Sequence, residues 1–358
     1  MKKNLGQKIL LVGERSLDPQ VYAYADSLRR VFADLGYEVM HFNNKPAGAY
    51  IASRLKKKIV DMWVNFRLIM QARKFSPNVI FVVKGENLWP ATLSFLGRMG
   101  VQLINFYPDN PFLVSNGNSN ANVLHALPIY HVCAIWSKML MPVMSSIGCR
   151  RVEYMPFGYE SALFGTSIFQ VSEKVQKFTY DVCFAGTWEP DRQWWLEQLV
   201  MRMPHLKLAI WGNMWHEHLA PDSPLRKYIR GNAVYGAQMI QYFRESKIVL
   251  NLVRKQNLSA HNMRTFEIPA SEAFQLAQRT KEHCEVLFTE GQSIACFATP
   301  DELETKIMWY LAHENERELI RLAGIECVKK MTLERIIAQL MGSLDGDNLH
   351  GREIEALL

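Results

Sequence analysis

Short apolar runs alternate with stretches of helical periodicity along most of the chain. Lys8–Gly13 reads as a strand, 20–35 as a helix closed by Gly36, and 37–42 as a second strand. A long helix is predicted over 51–75, followed by a strand at 78–84, a helix at 89–99 ended by Gly100, and a strand at 101–106. The series continues through 131–136, 138–147 and 152–155. Strands separated by helices of this length imply a parallel sheet wound by right-handed crossovers.

Over 165–177 the chain turns polar and the pattern lapses, as expected of an interdomain linker. Alternation then restarts with a strand at 180–184, a helix at 193–203 and a strand at 206–211. A helix at 238–246, a strand at 248–252, a helix at 265–274 and a helical tail from Asp301 complete it. Two successive doubly wound units predict an α/β chain of two Rossmann-like domains facing across a cleft, with ligands beyond the carboxyl ends of the strands. The expected boundaries are 1–165, 166–330, and a helical tail over 331–358 that packs back on the first domain.

Composition narrows this little. With 358 residues, 49% of them hydrophobic, the chain is long enough for two ordinary cores. The net charge of +6 suits a phosphate-bearing partner, whether nucleotide, anionic lipid or nucleic acid, without choosing among them. No apolar run approaches the roughly 20 residues of a membrane span, and the polar first residues do not resemble a signal peptide, so a cytoplasmic protein is expected. The six cysteines form no CxxC pair and have no histidine at ligand spacing, which reads as reduced thiols rather than a metal or disulfide framework. His216 and His218 share a polar loop that offers no third ligand, so no metal site is expected. No Walker A loop, HExxH, GxSxG or GxGxxG occurs, and no basic-aromatic motif points to nucleic acid.

The most informative stretch runs from Ser246 through Asn251 to His261-Asn-Met-Arg-Thr-Phe-Glu-Ile-Pro-Ala270. A buried strand leads into a loop, and a helix starts near Arg264 or Thr265 with Glu267 in its first turn. An arginine at a helix start suits a diphosphate, and a carboxylate suits the two hydroxyls of a ribose; Glu267 serving only the helix dipole is an equal reading. The pattern Leu250-Asn251, Asn262-Met-Arg264, Phe266-Glu267, Pro269-Ala270, Phe288, Gly291 and Asp301-Glu-Leu303 resembles the nucleotide-binding segment of group-1 (GT4-like) GT-B glycosyltransferases, and within them the CgeB-type branch. Tyr180–Gly186 with Arg192 is similar to the opening of that family's second domain, and Met155-Pro-Phe-Gly158 with Phe164 to the crossing into it.

The resemblance implies a nucleoside-diphosphate sugar as donor. Gly186 then lets the backbone approach it, Arg192 and Arg264 neutralise the diphosphate, Glu267 holds the ribose, and Tyr235 in the loop 234–237 faces the base. Residue by residue, the bland alternatives stay open: an ordinary strand-end turn for Gly186 and a half-buried core aromatic for Tyr235. The sequence departs from the family at three places. Ser271-Glu272-Ala273 stands where glycines are usual, Ser259 where a second glutamate is common, and Gln292-Ser293 where an acidic residue is typical. Glu272 is counted with the donor-facing residues. These departures fit altered specificity or lost activity.

In the first domain, Glu14, Asp18, Glu86 and Asp109 lie in loops after strands. Asp109, bracketed by prolines in Phe106-Tyr-Pro-Asp-Asn-Pro111, ranks first as a general base and Glu86 second; an Asx-turn role for Asp109 is the alternative. Finally, cations edge an apolar stripe, Ile59, Met62, Trp63, Phe66 and Met70, within 54–74. It reads either as the core-facing side of a sheet-packed helix or as a surface for an anionic membrane. Together these readings predict a cytoplasmic, metal-independent glycosyltransferase, peripheral on the inner membrane face if the stripe is exposed. Its acceptor is a cell-surface glycan, a lipid-linked sugar or a protein. A catalytically silent nucleotide- or sugar-binding protein of the same fold is the rival.

Overall fold

A computed structural model describes residues 6–16, 23–45, 54–114, 119–168, 178–257 and 259–345. The chain divides into two compact units, one made of Met1–Pro156 with Ile336–Leu349 and the other built on Phe157–Arg335. Each is organised on a six-stranded, all-parallel sheet.

In the first unit the strands are β1 (Lys8–Gly13), β2 (Glu38–Asn43), β3 (Val79–Val83), β4 (Gln102–Tyr107), β5 (Val132–Ile135) and β6 (Val152–Tyr154), in spatial order β2-β1-β3-β4-β5-β6. The connecting helices are α1 (Tyr24–Asp34), α2 (Arg54–Phe75), α3 (Pro90–Arg98), α4 (Ala121–Ala126) and α5 (Leu140–Ser146). Every residue of β3, Val-Ile-Phe-Val-Val, is buried, as befits a central parallel strand covered by helices on both faces. The strand order reverses between β1 and β3, so ligands are expected outside that pair of carboxyl ends.

The second unit carries β7 (Tyr180–Ala185), β8 (Leu208–Trp211), β9 (Ile229–Gly231), β10 (Ser246–Asn251), β11 (Gln275–Gln278) and β12 (Ala295–Phe297), in the order β12-β11-β10-β7-β8-β9. Around them lie α6 (Ser161–Ile168), α7 (Pro190–Arg202), α8 (Trp215–His218), α9 (Gly236–Arg244), α10 (Arg264–Ala270), α11 (Pro300–Ala312) and α12 (Glu314–Val328). The order reverses between β7 and β10. A last helix, α13 (Leu333–Asp345), belongs with the first unit from Ile336 onward, where the Ser343 carbonyl accepts a hydrogen bond from Arg151 Nη2 at 3.1 Å.

Several expectations change. The helix expected over 265–274 starts at Arg264 and stops at Ala270, because Pro269 lies in its last turn and Glu272 adopts φ +61°, a left-handed conformation that ends helices. The chain then enters β11. The long tail from Asp301 is three helices. Most consequential is α2: Val64, Leu68, Ala72 and Phe75 pack inward, whereas all five residues of the predicted stripe are exposed. Core and stripe residues lie on opposite sides of one helix. No described helix is long and apolar enough to cross a membrane.

Candidate functional site

At the reversal between β7 and β10 the sequence places glycine, arginine and carboxylate together. β7 runs into Gly186, whose amide N–H bonds the Trp211 carbonyl at 2.8 Å and whose own carbonyl accepts from Trp215 Nε1 at 2.9 Å. The neighbouring loop comes so close that a Cβ on Gly212 would lie 1.9 Å from the Gly186 oxygen. Only glycine fits there. A Cβ on Gly186 would also meet Arg192 Nη1 at 3.2 Å. Arg192, in the first turn of α7, therefore lies directly against the strand end.

Arg192 is held by one hydrogen bond from Nη1 to the Thr187 carbonyl at 2.8 Å and by its position over the Phe184 ring. Its Nε is sealed from solvent with no hydrogen-bond partner, and the residue forms no ion pair among the described residues. Burial, with Arg254 and Arg264 nearby, pushes its pKa down to about 10 against the pull of Glu189. A guanidinium in that condition is electrostatically unsatisfied and favours an anion.

Arg264 opens α10 just beyond β10. Its Nε donates to the Ala185 carbonyl at 3.1 Å, tying α10 to the end of β7, and its Nη1 pairs with Glu267. Gly186, Arg192, Arg264 and Glu267 are thus assembled at one strand reversal. Arg254, in the loop after β10, adds a further cation and pairs with Glu189 at 3.0 Å. Tyr235 is the residue before α9, in the loop after edge strand β9; it lies along the same edge of the sheet, two strands from β7.

Glu272 does not join this group. It lies past the opposite end of α10, its carboxylate bonded to Arg244 Nη2 at 2.8 Å and its carbonyl to Arg321 Nη1 at 2.8 Å. Burial raises its carboxyl pKa while both arginines oppose the rise. Being beyond the helix C-terminus, it serves packing at the amino end of β11. Ser293 likewise turns inward, bonding the Thr289 backbone.

A buried polar chain that sequence reasoning left without a role fixes the start of α10. Asn251 Nδ2 donates to Thr265 Oγ1 at 3.1 Å, and Asn262 Nδ2 donates to Asn251 Oδ1 at 2.8 Å. Thr265 Oγ1 lies 2.8 Å from His283 Nε2, while His283 Nδ1 lies 3.0 Å from the Gln278 carbonyl. A carbonyl only accepts, so Nδ1 carries the proton and Nε2 accepts from the threonine hydroxyl. Burial pushes the pKa of His283 down to about 4, which keeps it neutral. A second histidine, His261, accepts at Nε2 from the Phe157 amide at 3.3 Å, and its Nδ1 lies 3.1 Å from Glu282. Asn251, His261 and Asn262 were visible in the motif; Glu282 and His283 lie too far along the chain for spacing to reveal.

In the first unit, β3 ends in two consecutive left-handed residues, Lys84 (φ +61°) and Gly85 (φ +87°). The sharp turn brings Lys84 and Glu86 back over the sheet edge beside the loop after β4. Lys84 Nζ pairs with Asp109 Oδ2 at 2.6 Å and lies 3.9 Å from Glu86 Oε1. Lys45 in turn bridges Glu86 at 3.7 Å and Glu14 at 3.0 Å. The two carboxylates ranked as bases therefore share one lysine. Glu86 Oε2 is buried without a hydrogen-bond partner among the described residues. Tyr107 packs beneath, its phenol pKa raised first by burial and then by Glu86, with Ser119 opposing. Asp18 lies outside the described residues.

Metal-ligand spacing among the described residues occurs at Cys284, Glu290 and Cys296, whose ligand atoms lie within 4.8 Å of one another. Arg279 bonds both oxygens of Glu290, at 2.9 and 2.6 Å, so a guanidinium already occupies the position a cation would compete for. His218 stacks on Trp188 at 3.9 Å.

Residues 192–342 match a family model described as glycosyl transferase-like. No curated protein sequence matches the chain. Solved structures similar to this one include sucrose-phosphate synthase from Thermosynechococcus elongatus, 13% identical with a TM-score of 0.67, covering 95% of this chain and 98% of that one. Trehalose-6-phosphate synthase OtsA is 12% identical with a TM-score of 0.68, over 97% and 100% of the two chains. Anabaena HepE in complex with UDP-glucose is 12% identical with a TM-score of 0.65, over 94% and 99%. The protein is thus a two-domain α/β chain of the GT-B fold, and its residues 192–342 carry a glycosyl transferase-like sequence pattern.

Proposed function

We propose that the protein is a glycosyltransferase that takes a sugar from a nucleoside-diphosphate donor bound at the strand reversal of the second unit. The observation that carries this reading is Arg192, whose Nε is buried without a hydrogen-bond partner and whose guanidinium forms no ion pair among the described residues, beside Arg264, where two glycine loops bring the backbone close. Arg192 and Arg264 hold the diphosphate and stabilise it as it leaves, Glu267 accepts from the ribose hydroxyls, and Tyr235 borders the base. HepE, of the same fold, is described with UDP-glucose bound, which makes a uridine nucleotide the first donor to try.

The first unit supplies the acceptor side. Asp109 takes the proton of the attacking hydroxyl, with Lys84 setting its position; Glu86 is the reserve base. The two arginines provide the positive charge that a metal supplies in other transferases, so we infer metal-independent transfer. Within the fold class the Asn262-Met-Arg264 and Phe266-Glu267 pattern favours the CgeB-type branch, and the acceptor we infer is a cell-surface glycan, a lipid-linked sugar or a protein.

Incubating the purified protein with a panel of nucleotide sugars and measuring nucleoside diphosphate released, with and without EDTA, tests this. Release from one donor, unchanged by EDTA, is expected. Tight nucleotide binding with no release would support the rival, a catalytically silent binding protein. Release that stops with EDTA and returns with a divalent ion would overturn metal independence.

A further inference from the structure

The helix α2 has two apolar sides. At about 100° per residue, Val64, Leu68, Ala72 and Phe75 cluster around one direction and are buried against the sheet. Ile59, Met62, Trp63, Phe66 and Met70 cluster around the opposite direction and remain 54%, 53%, 46%, 61% and 48% exposed. A helix packed on a parallel sheet needs only the first side. The second is a stripe about 16 Å long that removes nothing from water within the described residues.

Its border is strongly cationic. Lys58, Arg67, Arg73 and Lys74 flank the stripe, and the helix's one carboxylate, Asp61, pairs with Lys57 at 2.7 Å. Arg67 lies over the Trp63 ring at 4.4 Å, and Arg73 lies over Phe95 of α3 at 5.3 Å. Phe95 and Met99 are themselves partly exposed, so the apolar surface continues onto the neighbouring helix. The exposed apolar residues of α11 and α12 offer a contrast. Trp309 there stacks on His313 at 3.6 Å and donates to Glu316, and the charged residues of those helices are mostly acidic.

We propose that this face of α2 and α3 binds the surface of an anionic lipid bilayer. Phe66, Trp63, Ile59 and Met62 would enter the boundary between headgroups and acyl chains, while Lys58, Arg67, Arg73 and Lys74 meet the phosphates. Charge selects this occupant. An apolar partner protein needs no cationic rim, whereas a negatively charged bilayer matches both features together. The inference rests on α2 and α3 and holds whether or not the protein transfers a sugar.

Sedimentation with vesicles of about 30% phosphatidylglycerol in phosphatidylcholine, against phosphatidylcholine alone, tests it. The wild type is expected to pellet with the first and not the second, and to be released as salt is raised. Trp63→Ser with Phe66→Ser should lower binding at least tenfold with the melting temperature within about 2 °C of wild type, since both side chains are exposed. Lys58→Gln with Lys74→Gln should weaken it by about fivefold per charge removed. Equal pelleting with both vesicles, or with neither, overturns the proposal. So does a wild-type dimer that the Trp63/Phe66 variant converts to monomer while vesicle binding is absent, because the face would then belong to a second copy of the chain.

Discussion

The two strand reversals use the same architecture to opposite electrostatic ends. In the first unit, Glu14, Lys45, Glu86, Lys84 and Asp109 alternate in sign, each charge answered by the next. In the second, Arg192, Arg254 and Arg264 face Glu189 and Glu267, and Arg192 is left over. The first array, three carboxylates and two lysines, keeps every member in an ion pair and carries one negative charge in excess; the second, three arginines and two glutamates, leaves Arg192 outside any ion pair among the described residues, which favours an anion. Fold alone does not distinguish the two sites. The identity of two or three side chains at each strand end does.

The largest effect expected concerns the frame beneath the second site. His283 is buried neutral, with its pKa lowered from the ordinary 6.5 to about 4. The unfolded chain therefore binds a proton that the folded chain refuses between those values. This contribution to stability is complete above about pH 6.5 and falls as pH drops toward 4, by about 3 kcal/mol. Urea melts from pH 7 to 4 should show that loss, and His283→Gln should flatten it by about one proton. An unchanged profile would remove His283 from the network's energetics.

Asp109→Asn is expected to lower turnover about 100-fold, the scale of losing a general base, with nucleotide affinity unaffected. If turnover holds, the proton goes to Glu86, whose Oε2 is already without a partner. A smaller effect separates the two roles within the second site. Glu267→Ala should weaken nucleoside monophosphate and nucleotide sugar alike by about tenfold, because both present a ribose to a charged acceptor. Inorganic pyrophosphate should bind no worse, since Arg264 loses its internal partner and its charge is released for the ligand. Equal losses for all three ligands would mean that Glu267 acts on the fold rather than on the ribose.

Much of this arrangement was legible along the chain. Central strands show as apolar runs, Val-Ile-Phe-Val-Val in β3 and Ile-Val-Leu within β10, and Arg264 with Glu267 stood in a motif at a helix start. Three short strands of the second unit were not legible. Ile229–Gly231, Gln275–Gln278 and Ala295–Phe297 are three or four residues long, too short to show a period. Glu272 was counted with the donor residues because it stands where the family resemblance places phosphate-facing glycines, but a helix of two turns carries it to the far end of α10. In α2 the periodicity was clear while the direction was not, since a helix with two apolar sides offers two stripes of equal claim. Pairings such as Lys84 with Asp109 depend on adjacent strand ends that topology alone brings together.

The claim that the second unit's strand reversal is a nucleoside-diphosphate site is tested most directly by calorimetric titration. UDP, GDP, dTDP and ADP, each beside its uncharged nucleoside, would be titrated into the wild type, Arg192→Leu and Arg264→Ala. At least one diphosphate is expected to bind ten or more times tighter than its nucleoside, and either substitution to erase most of that preference. Equal affinity for diphosphate and nucleoside in the wild type, or a preference that survives both substitutions, would contradict it.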